Sequence, residues 1–361
     1  MQIRTAVPRV SVVMSVFNGA AYLRDAVDSV LRQSFQDFEL IAIDDGSSDA
    51  SLQILRSCDD PRIRIIRNEN NIGLTRSLNL GLSAARGELI ARQDADDLSA
   101  PMRLAKQLAL FDATPSLVLV GTQGRYLSPV GRLSHSRLWW KSTSEEGLRF
   151  QSVFQNPFVH TSVVFRRDPV VTQLGGYDEG IRTSQDFELW SRVIARYRAV
   201  NLPEVLVTQR WHPGSVSARY ATTNWRALAP AFSRNVVTLF GSDSPFQEWG
   251  DIWVRATGPG AEGAYREQMA VLSLATSMYE AFARMAPSHE ALAERRECFA
   301  NVLLSMAESF VARSGRAATT AVLRSVRLSR GSVAGRAIRV TLRMLDTLRR
   351  PPAQSESAAA G

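Results

Sequence analysis

Three aspartates fall within four residues at Asp94-Ala95-Asp96-Asp97. Carboxylates crowded in this way repel one another, and keeping them ionised calls for a cation. A hard divalent ion, Mg²⁺ or Mn²⁺, answers that need through one or two carboxylates and leaves its other positions to water and substrate phosphates. As an ordinary turn, the same run has Asp97 capping a helix that starts near Pro101. A second acidic cluster is Asp44-Asp45-Gly46-Ser47. It can cap a following helix, or accept hydrogen bonds from a base edge or ribose hydroxyls, as acidic residues beyond strand ends do in nucleotide-binding folds. Asp186 and Glu188 open a stretch of helical periodicity, where the helix dipole alone accounts for them. His160 reads as a structural histidine ahead of a strand. Among the tryptophans, Trp190 and Trp211 are candidates for a platform under a sugar ring, while Trp139-Trp140 read as core or rim.

The elements that position these groups follow from apolar periodicity. Val10–Val16 is a β-branched run too short for a helix, broken by Asn18-Gly19, and a helical repeat occupies 20–33. Strand-like runs at 38–43, 63–66, 89–92 and 117–120 alternate with helical ones that run through Leu52 and Leu55, over 74–86 and over 102–113. Such alternation predicts an α/β domain, a parallel sheet flanked by helices. Ligands in open sheets of this kind bind beyond the carboxyl ends of the strands. Both acidic clusters follow strands, so they are expected to share one cleft. Residues 121–217 are mixed in character; from about 220 onward strand formers thin out, and 264–285, 289–313 and 319–328 have helical spacing. The expected organisation is a catalytic domain over 1–220, a helical region over 221–350 and a disordered tail over 351–361.

The runs VSVVMSVFN (10–18), Tyr22-Leu23, DFELIAIDDGSSD (37–49) and NENNIGLTRSLNLGLSAARGELIARQDADD (68–97) resemble the N-terminal half of the family 2 glycosyltransferases, which have the GT-A fold. The resemblance continues more weakly through HTSVVFRR (160–167), GGYDE (175–179), QDFELWSRV (185–193) and RWHPGSVS (210–217). It implies a GT-A-like, mostly parallel sheet with a helical C-terminal extension. By position, Ser15, Phe17 and Asp45 would border the nucleobase and ribose, with Asp44 beside them, and Arg76 would approach the base and diphosphate. Asp94 and Asp96 would meet the ribose and a metal-bridged diphosphate. The metal side would comprise Asp96, Asp97 and His212, and Asp186 would be the general base of an inverting transfer. Two positions depart from the pattern: Gln185 stands where glutamate is usual, and Ser15 replaces a common proline.

The implied reaction moves a sugar from a nucleoside-diphosphate donor, with a UDP-sugar as first choice, to a hydroxyl of a glycan or lipid-linked acceptor in cell-surface polysaccharide synthesis. A metal as Lewis acid and a positioned carboxylate as base are what such a transfer needs. A sugar-nucleotide pyrophosphorylase is disfavoured because its glycine-rich, lysine-bearing N-terminal loop is missing, and a dehydrogenase because no Gly-x-Gly-x-x-Gly follows the first strand. A non-catalytic sugar-nucleotide or glycan-binding scaffold is the alternative.

The net charge of +8 comes almost wholly from arginine and suggests an anionic surface or ligand. Cys58 and Cys298 offer neither a disulfide framework nor a zinc spacing, which favours a reducing compartment. No leader and no apolar stretch of roughly 20 residues is apparent, so the expected location is the cytoplasm. Within 333–350, Ile338, Leu342, Leu345 and Leu348 form one stripe and Arg336, Arg339 and Arg343 another. Such a helix either contacts the inner face of the membrane or packs on the protein with its charges in water. No module for nucleic acid is present.

Overall fold

The β-branched run Val10–Val16 forms the first strand (β1), and its neighbours Phe38–Asp44 (β2), Ile63–Arg67 (β3) and Leu89–Arg92 (β4) pair with it in the order β3-β2-β1-β4, all parallel. This is a computed structural model, and it describes residues 7–127, 133–139, 141–212, 214–215, 225–257, 265–310, 315–329, 337 and 341. A strand covered on both faces needs apolar side chains in both directions, and every residue of β2 is buried.

The connecting helices Ala20–Leu31 (α1), Ser51–Arg56 (α2), Leu74–Ala84 (α3) and Arg103–Ala113 (α4) take opposite sides of this sheet. Val12, Met14, Leu40 and Ala42 meet Leu23, Val27, Leu104 and Phe111 on one side, while Val13, Ile41, Ile43 and Ile90 meet Leu78 and Leu82 on the other. The period of two along each strand produces the two faces. α3 lies unusually close to the sheet: a Cβ at Gly81 would come within 2.5 Å of a Val13 methyl.

Beyond β4 the sheet changes direction. Leu98–Ser99 (β5), Leu117–Leu127 (β6), Leu133–Trp139 (β7), Val164–Arg166 (β8) and Arg198–Arg210 (β9) complete a nine-stranded sheet among the described residues. β8 runs antiparallel to both β4 and β6, β6 and β9 are parallel, β5 is an antiparallel edge to β9, and β7 pairs with β6. The helices Glu145–Ser152 (α5) and Gln185–Arg196 (α6) follow β7 and precede β9 respectively. The result is the α/β architecture expected, with a longer second half than the sequence pattern alone marks out.

The chain divides into compact units at Val254/Arg255, later than the change of composition near residue 220. The difference has a physical cause in the helix Ala229–Phe240 (α7). Its Asn235 donates to the Ser152 carbonyl at 2.8 Å and accepts from the Ser191 hydroxyl at 2.7 Å. Phe232 stacks against Phe187 at 4.7 Å, and Trp249, opening the helix Trp249–Thr257 (α8), donates its indole N–H to the Val153 carbonyl. Helical periodicity announces these helices but not the neighbours that claim them. The second unit contains Tyr265–Arg284 (α9), His289–Phe310 (α10) and Gly315–Ser329 (α11), joined by the stacked Tyr279 and Phe299 rings and by the Ser325 hydroxyl on the Ala300 carbonyl. Among the described residues no helix is long and apolar enough to cross a membrane. The tail 351–361 lies outside the described residues, as does 333–350 apart from residues 337 and 341.

At the amino-terminal edge of the parallel strands, Glu39 ties four segments together. It accepts from the Ser11 hydroxyl at 2.7 Å, from Arg64 at 2.8 Å, and from the Arg86 backbone and guanidinium at 2.8–3.0 Å. Burial works against its charge, but the hydrogen bonds from Arg86, Arg64 and Ser11 outweigh it and hold the carboxyl below the ordinary glutamate range. Glu39→Ala should therefore cost about 2 kcal/mol, the loss of its charge-assisted hydrogen bonds, since Arg64 and Arg86 stay open to water. Because the folded value is the lower one, this contribution is complete above an unfolded value of about 4.3 and disappears as pH falls through the folded one. Urea denaturation of wild type and variant at neutral and acidic pH checks both points: the gap should close on acidification, and a pH-independent gap would refute the assignment.

Candidate active site

Two loops leave the carboxyl ends of β1 and β2 side by side, since Val16 and Asp44 are register partners. Asn18, in the left-handed region at φ +49°, stitches them together. Its backbone N–H donates to the Ser47 hydroxyl at 3.0 Å, and its side-chain oxygen accepts from the Ser48 backbone at 2.9 Å. The Gly19 and Ala20 backbones donate to Ser51 and Asp49. Phe17 projects from this seam with 45% of its surface exposed, and Ser15 is partly buried behind it.

The two aspartates of the β2 turn differ sharply. Asp45 accepts from the backbones of Ile72 (2.9 Å) and Gly73 (3.0 Å) and from the Asn68 amide (2.8 Å), so it fixes the segment leading into α3. Gly46, at φ +70°, lies against that segment; a Cβ there would stand 2.6 Å from the Asn70 carbonyl carbon. Asp44 is fully buried, and neither of its carboxylate oxygens has a hydrogen-bond partner among the described residues. A polar group so placed is costly and asks for a reason. Arg76 lies on the first turn of α3, 60% exposed and 3.3 Å from Glu179.

The cluster Asp94-Ala95-Asp96-Asp97 follows β4 directly and rests on two buried guanidinium groups. Arg92 donates to the Val13 carbonyl at 3.1 Å, to His160 Nε2 at 3.2 Å and to Asp94 Oδ1 at 2.5 Å. Arg103 donates to the Arg92 carbonyl, the Gln93 side chain and the Ser99 hydroxyl. Burial, followed by the nearby charge of Arg92, lowers the Arg103 pKa to about 9. Burial and the Asp94 charge raise the Asp96 carboxyl, against a hydrogen bond from His212. Asp97 is pushed up further by burial and by both neighbouring aspartates.

Strand β9 delivers the partners of this loop. The Arg210 backbone donates to Asp97 Oδ1 at 2.9 Å, its guanidinium reaches the Asp96 carbonyl and Asp25, and His212 Nε2 lies 2.9 Å from Asp96 Oδ2. Tyr22 packs between them, its ring 4.8 Å from His212 and 4.9 Å from the Arg210 guanidinium. Asp96 and His212 are thus brought together. Asp97 is only 3% exposed, and its carboxylate anchors β9. Among the described residues, no three His, Cys, Asp or Glu side chains converge as a closed metal site. The outward-facing Asp96–His212 pair, next to Asp94, fits an ion that takes few protein ligands and completes its shell with phosphate and water.

On the far side, Asp186 sits in the first turn of α6, where Asn156 Nδ2 donates to its Oδ2 at 2.6 Å. Gln185, beside it, is buried. Glu188 is also buried and is bound to Arg192 and Arg234, which gives it a structural role between α6 and α7. Between Asp186 and the acidic loop lies the pair His160–Tyr177, the tyrosine buried and the histidine partly buried, with His160 Nε2 3.0 Å from the Tyr177 hydroxyl. Burial and then the Arg92 charge lower the His160 pKa, while Asp186 and Asp94 pull the other way; burial also raises the Tyr177 hydroxyl. Both residues thus sense Asp94 and Asp186 at once.

Trp190 is fully buried beneath this pair and cannot serve as a sugar platform, contrary to the sequence expectation, because its ring fills the core among Phe158, Phe165 and Tyr177. Trp211 is 47% exposed. Trp140 and the side chain of Trp139 lie outside the described residues. Sequence reading missed Arg92, Asn156, Tyr177 and Arg210. Only Arg92 gave a local sign, as a charge ending an otherwise apolar strand.

The sequence profile of Glycosyl transferase family 2 matches residues 11–173. The O-antigen biosynthesis glycosyltransferase WbnJ of Escherichia coli is 32% identical over 210 residues, which cover 56% of this chain and 80% of WbnJ. Among solved structures, S. aureus TarS 1-349 in complex with UDP-GlcNAc aligns with a TM-score of 0.54 at 16% identity, covering 89% of each chain. The mannosyltransferase PcManGT from Pyrobaculum calidifontis, solved with GDP-Man and Mn²⁺, aligns with a TM-score of 0.50 at 18% identity, covering 94% of this chain and 88% of its own. At these identities the two structures establish a shared fold.

The different surroundings of Asp96 and Asp97 give a separable outcome. Asp97→Ala leaves the Arg210 N–H without its acceptor and should lower stability by about 2 kcal/mol. Asp96→Ala relieves repulsion in the loop and should melt at or above the wild-type temperature. Calorimetry of the two variants tests the distinction, and an Asp97→Ala protein as stable as wild type would remove its anchoring role.

Proposed function

The chain belongs to glycosyltransferase family 2, and from that premise we propose that it transfers a sugar from a nucleoside-diphosphate donor, with a UDP-sugar as first choice, to a hydroxyl of a glycan or lipid-linked acceptor in cell-surface polysaccharide synthesis. The observation that carries this reading is the meeting, at the carboxyl edge of one sheet, of the Asp94–Asp96–His212 group with Asp186 across a shared His160–Tyr177 pair. The O-antigen role in the name of WbnJ, and the UDP-GlcNAc and GDP-Man in the two solved structures, support the substrate classes.

The donor's base and ribose would lie over the Phe17–Asn18 seam, with Ser15, Asp44 and Asp45 beneath, and Arg76 toward the diphosphate. Asp94, held by Arg92, would take the ribose side. Asp96 and His212 would hold Mn²⁺ or Mg²⁺, which when bound supplies Lewis-acid stabilisation of the departing diphosphate; Asp97 supports them from below by anchoring β9. Asp186 would accept the acceptor's proton through Oδ1, which no hydrogen bond reaches among the described residues, while Oδ2 stays with Asn156. Attack from the face opposite the leaving diphosphate inverts the anomeric carbon.

Melting of wild type and Asp96→Ala against UDP-, GDP-, dTDP- and CDP-sugars, with and without Mn²⁺, tests the donor site. A donor at about a hundred times its Kd should stabilise wild type by about 2.7 kcal/mol, and Asp96→Ala should lose the metal-dependent part. Asp186→Asn should retain that shift but lower nucleoside-diphosphate release by about 10²-fold or more. Undiminished release in Asp186→Asn would refute the base assignment, and donor binding without any release would favour a binding scaffold.

The acceptor class also makes a contact with the inner face of the membrane, through 333–350, part of the proposal. The arginine stripe there suits anionic lipid. The full chain should sediment with phosphatidylglycerol vesicles and not with phosphatidylcholine ones; equal recovery after deletion of 333–350 would refute the contact.

A further inference from the structure

We infer that Asn156 is a positioning residue for Asp186: it holds one carboxylate oxygen and so fixes which one meets the acceptor hydroxyl. The inference rests on the reading of Asp186 as general base.

The amide has only one workable orientation. Phe158 donates its backbone N–H to Asn156 Oδ1 at 3.1 Å, so the NH₂ group must face Asp186 Oδ2, 2.6 Å away. A flipped amide would set oxygen against oxygen and N–H against N–H. The backbone around it is clamped as well. The buried Lys141 ammonium donates to the Asn156 carbonyl, and the buried Asn201 amide donates to the carbonyls of Pro157 (3.0 Å) and Ser142 (2.9 Å). A donor held so firmly costs no reorganisation when the base acts, and a hydrogen bond to an ionised acceptor belongs to the strong class.

The bond has two consequences. It engages Oδ2 and leaves Oδ1 to the incoming proton. It is also a bond made to the carboxylate, the form a base must have, so its removal should show in the pH profile of the reaction. The other groups around Asp186 do not duplicate it. His160 and Tyr177 lie toward it; burial favours the neutral form of the first, and the second is a phenol whose hydroxyl bonds to His160. Arg92, at the end of β4, is bonded to Asp94 and His160, and Lys141 reaches the Asn156 carbonyl. Asp94 is held by Arg92 on the donor side, and Glu188 on the same helix is paired with Arg192 and Arg234. Asn156 is the neutral donor placed on the carboxylate itself.

Nucleoside-diphosphate release is measured over about pH 5 to 9 for wild type, Asn156→Ala, Asn156→Asp and Asp186→Asn, using the sugar nucleotide from the UDP, GDP, dTDP and CDP panel that shifts melting. Asn156→Ala should move the acid limb of kcat/KM up by about one pH unit, giving about tenfold less activity below it and near recovery above. Asn156→Asp, which keeps the acceptor for Phe158 and so protects the fold, should move the limb further, since two carboxylates at that distance share a proton. Donor-induced melting shifts should be unchanged in both. A readout independent of turnover is the ¹³C-carboxyl resonance missing from Asp186→Asn, whose titration should move up in Asn156→Ala. Unmoved limbs and an unmoved resonance, with release still lost in Asp186→Asn, would overturn the role of Asn156 and leave the base standing. Full release in Asp186→Asn would overturn both.

Discussion

The acidic loop after β4 stands on buried positive charge. Arg92 and Arg103 carry two guanidinium groups into the interior, close enough for one to depress the other, and each on its own would be costly to bury. They are tolerable together because Asp94 and Asp97 stand over them and because nearly every N–H finds a carbonyl or side-chain acceptor. The same contacts join β1, the end of β4, the start of α4 and the segment before β8. The loop is therefore shaped from underneath by buried cations, and its carboxylates remain crowded.

The two chemical halves of the site come from different parts of the chain. In the proposed reading, residues 15–97 together with His212 supply the donor side, and residues 156–186 supply the acceptor side. Arg92 spans them, one arm on Asp94 and another on His160. Such a bridge makes the relative placement of base and donor a property of the packed interior. Asp45, although it belongs to the motif that faces the nucleotide, serves locally as a staple for the segment before α3.

How much of this was legible in the sequence varied with the range of the interactions. β1 to β4 were readable to within a residue or two, because β1, β2 and β4 are almost wholly buried and must be largely apolar, and the edge strand β3 keeps isoleucines at three of its five positions. β7 and the full lengths of β6 and β9 were not, since Gly121, Gly124 and Asn201 interrupt any local pattern and the pairing that orders them is remote. Trp190 carried no sign of whether its ring would be inside or outside. Asn156 looked like any residue ahead of a proline; its meaning lies in a partner thirty positions away. The division near 254 was hidden for a related reason, as α7 is amphipathic whichever body it joins.

The clasp between β9 and the acidic loop also bears on how the molecule is made. Arg210 and His212 reach Asp97 and Asp96 across 113 and 116 residues. Contacts of such separation repay the entropy of closing a long loop only after the intervening chain is ordered. During synthesis the parallel strands can assemble as they emerge, but their carboxylate loop stays without its partners until β9 has left the ribosome. A nascent chain arrested before that point would have a nearly finished sheet and an unfinished rim, so the last strand acts as the step that turns a folded scaffold into a site.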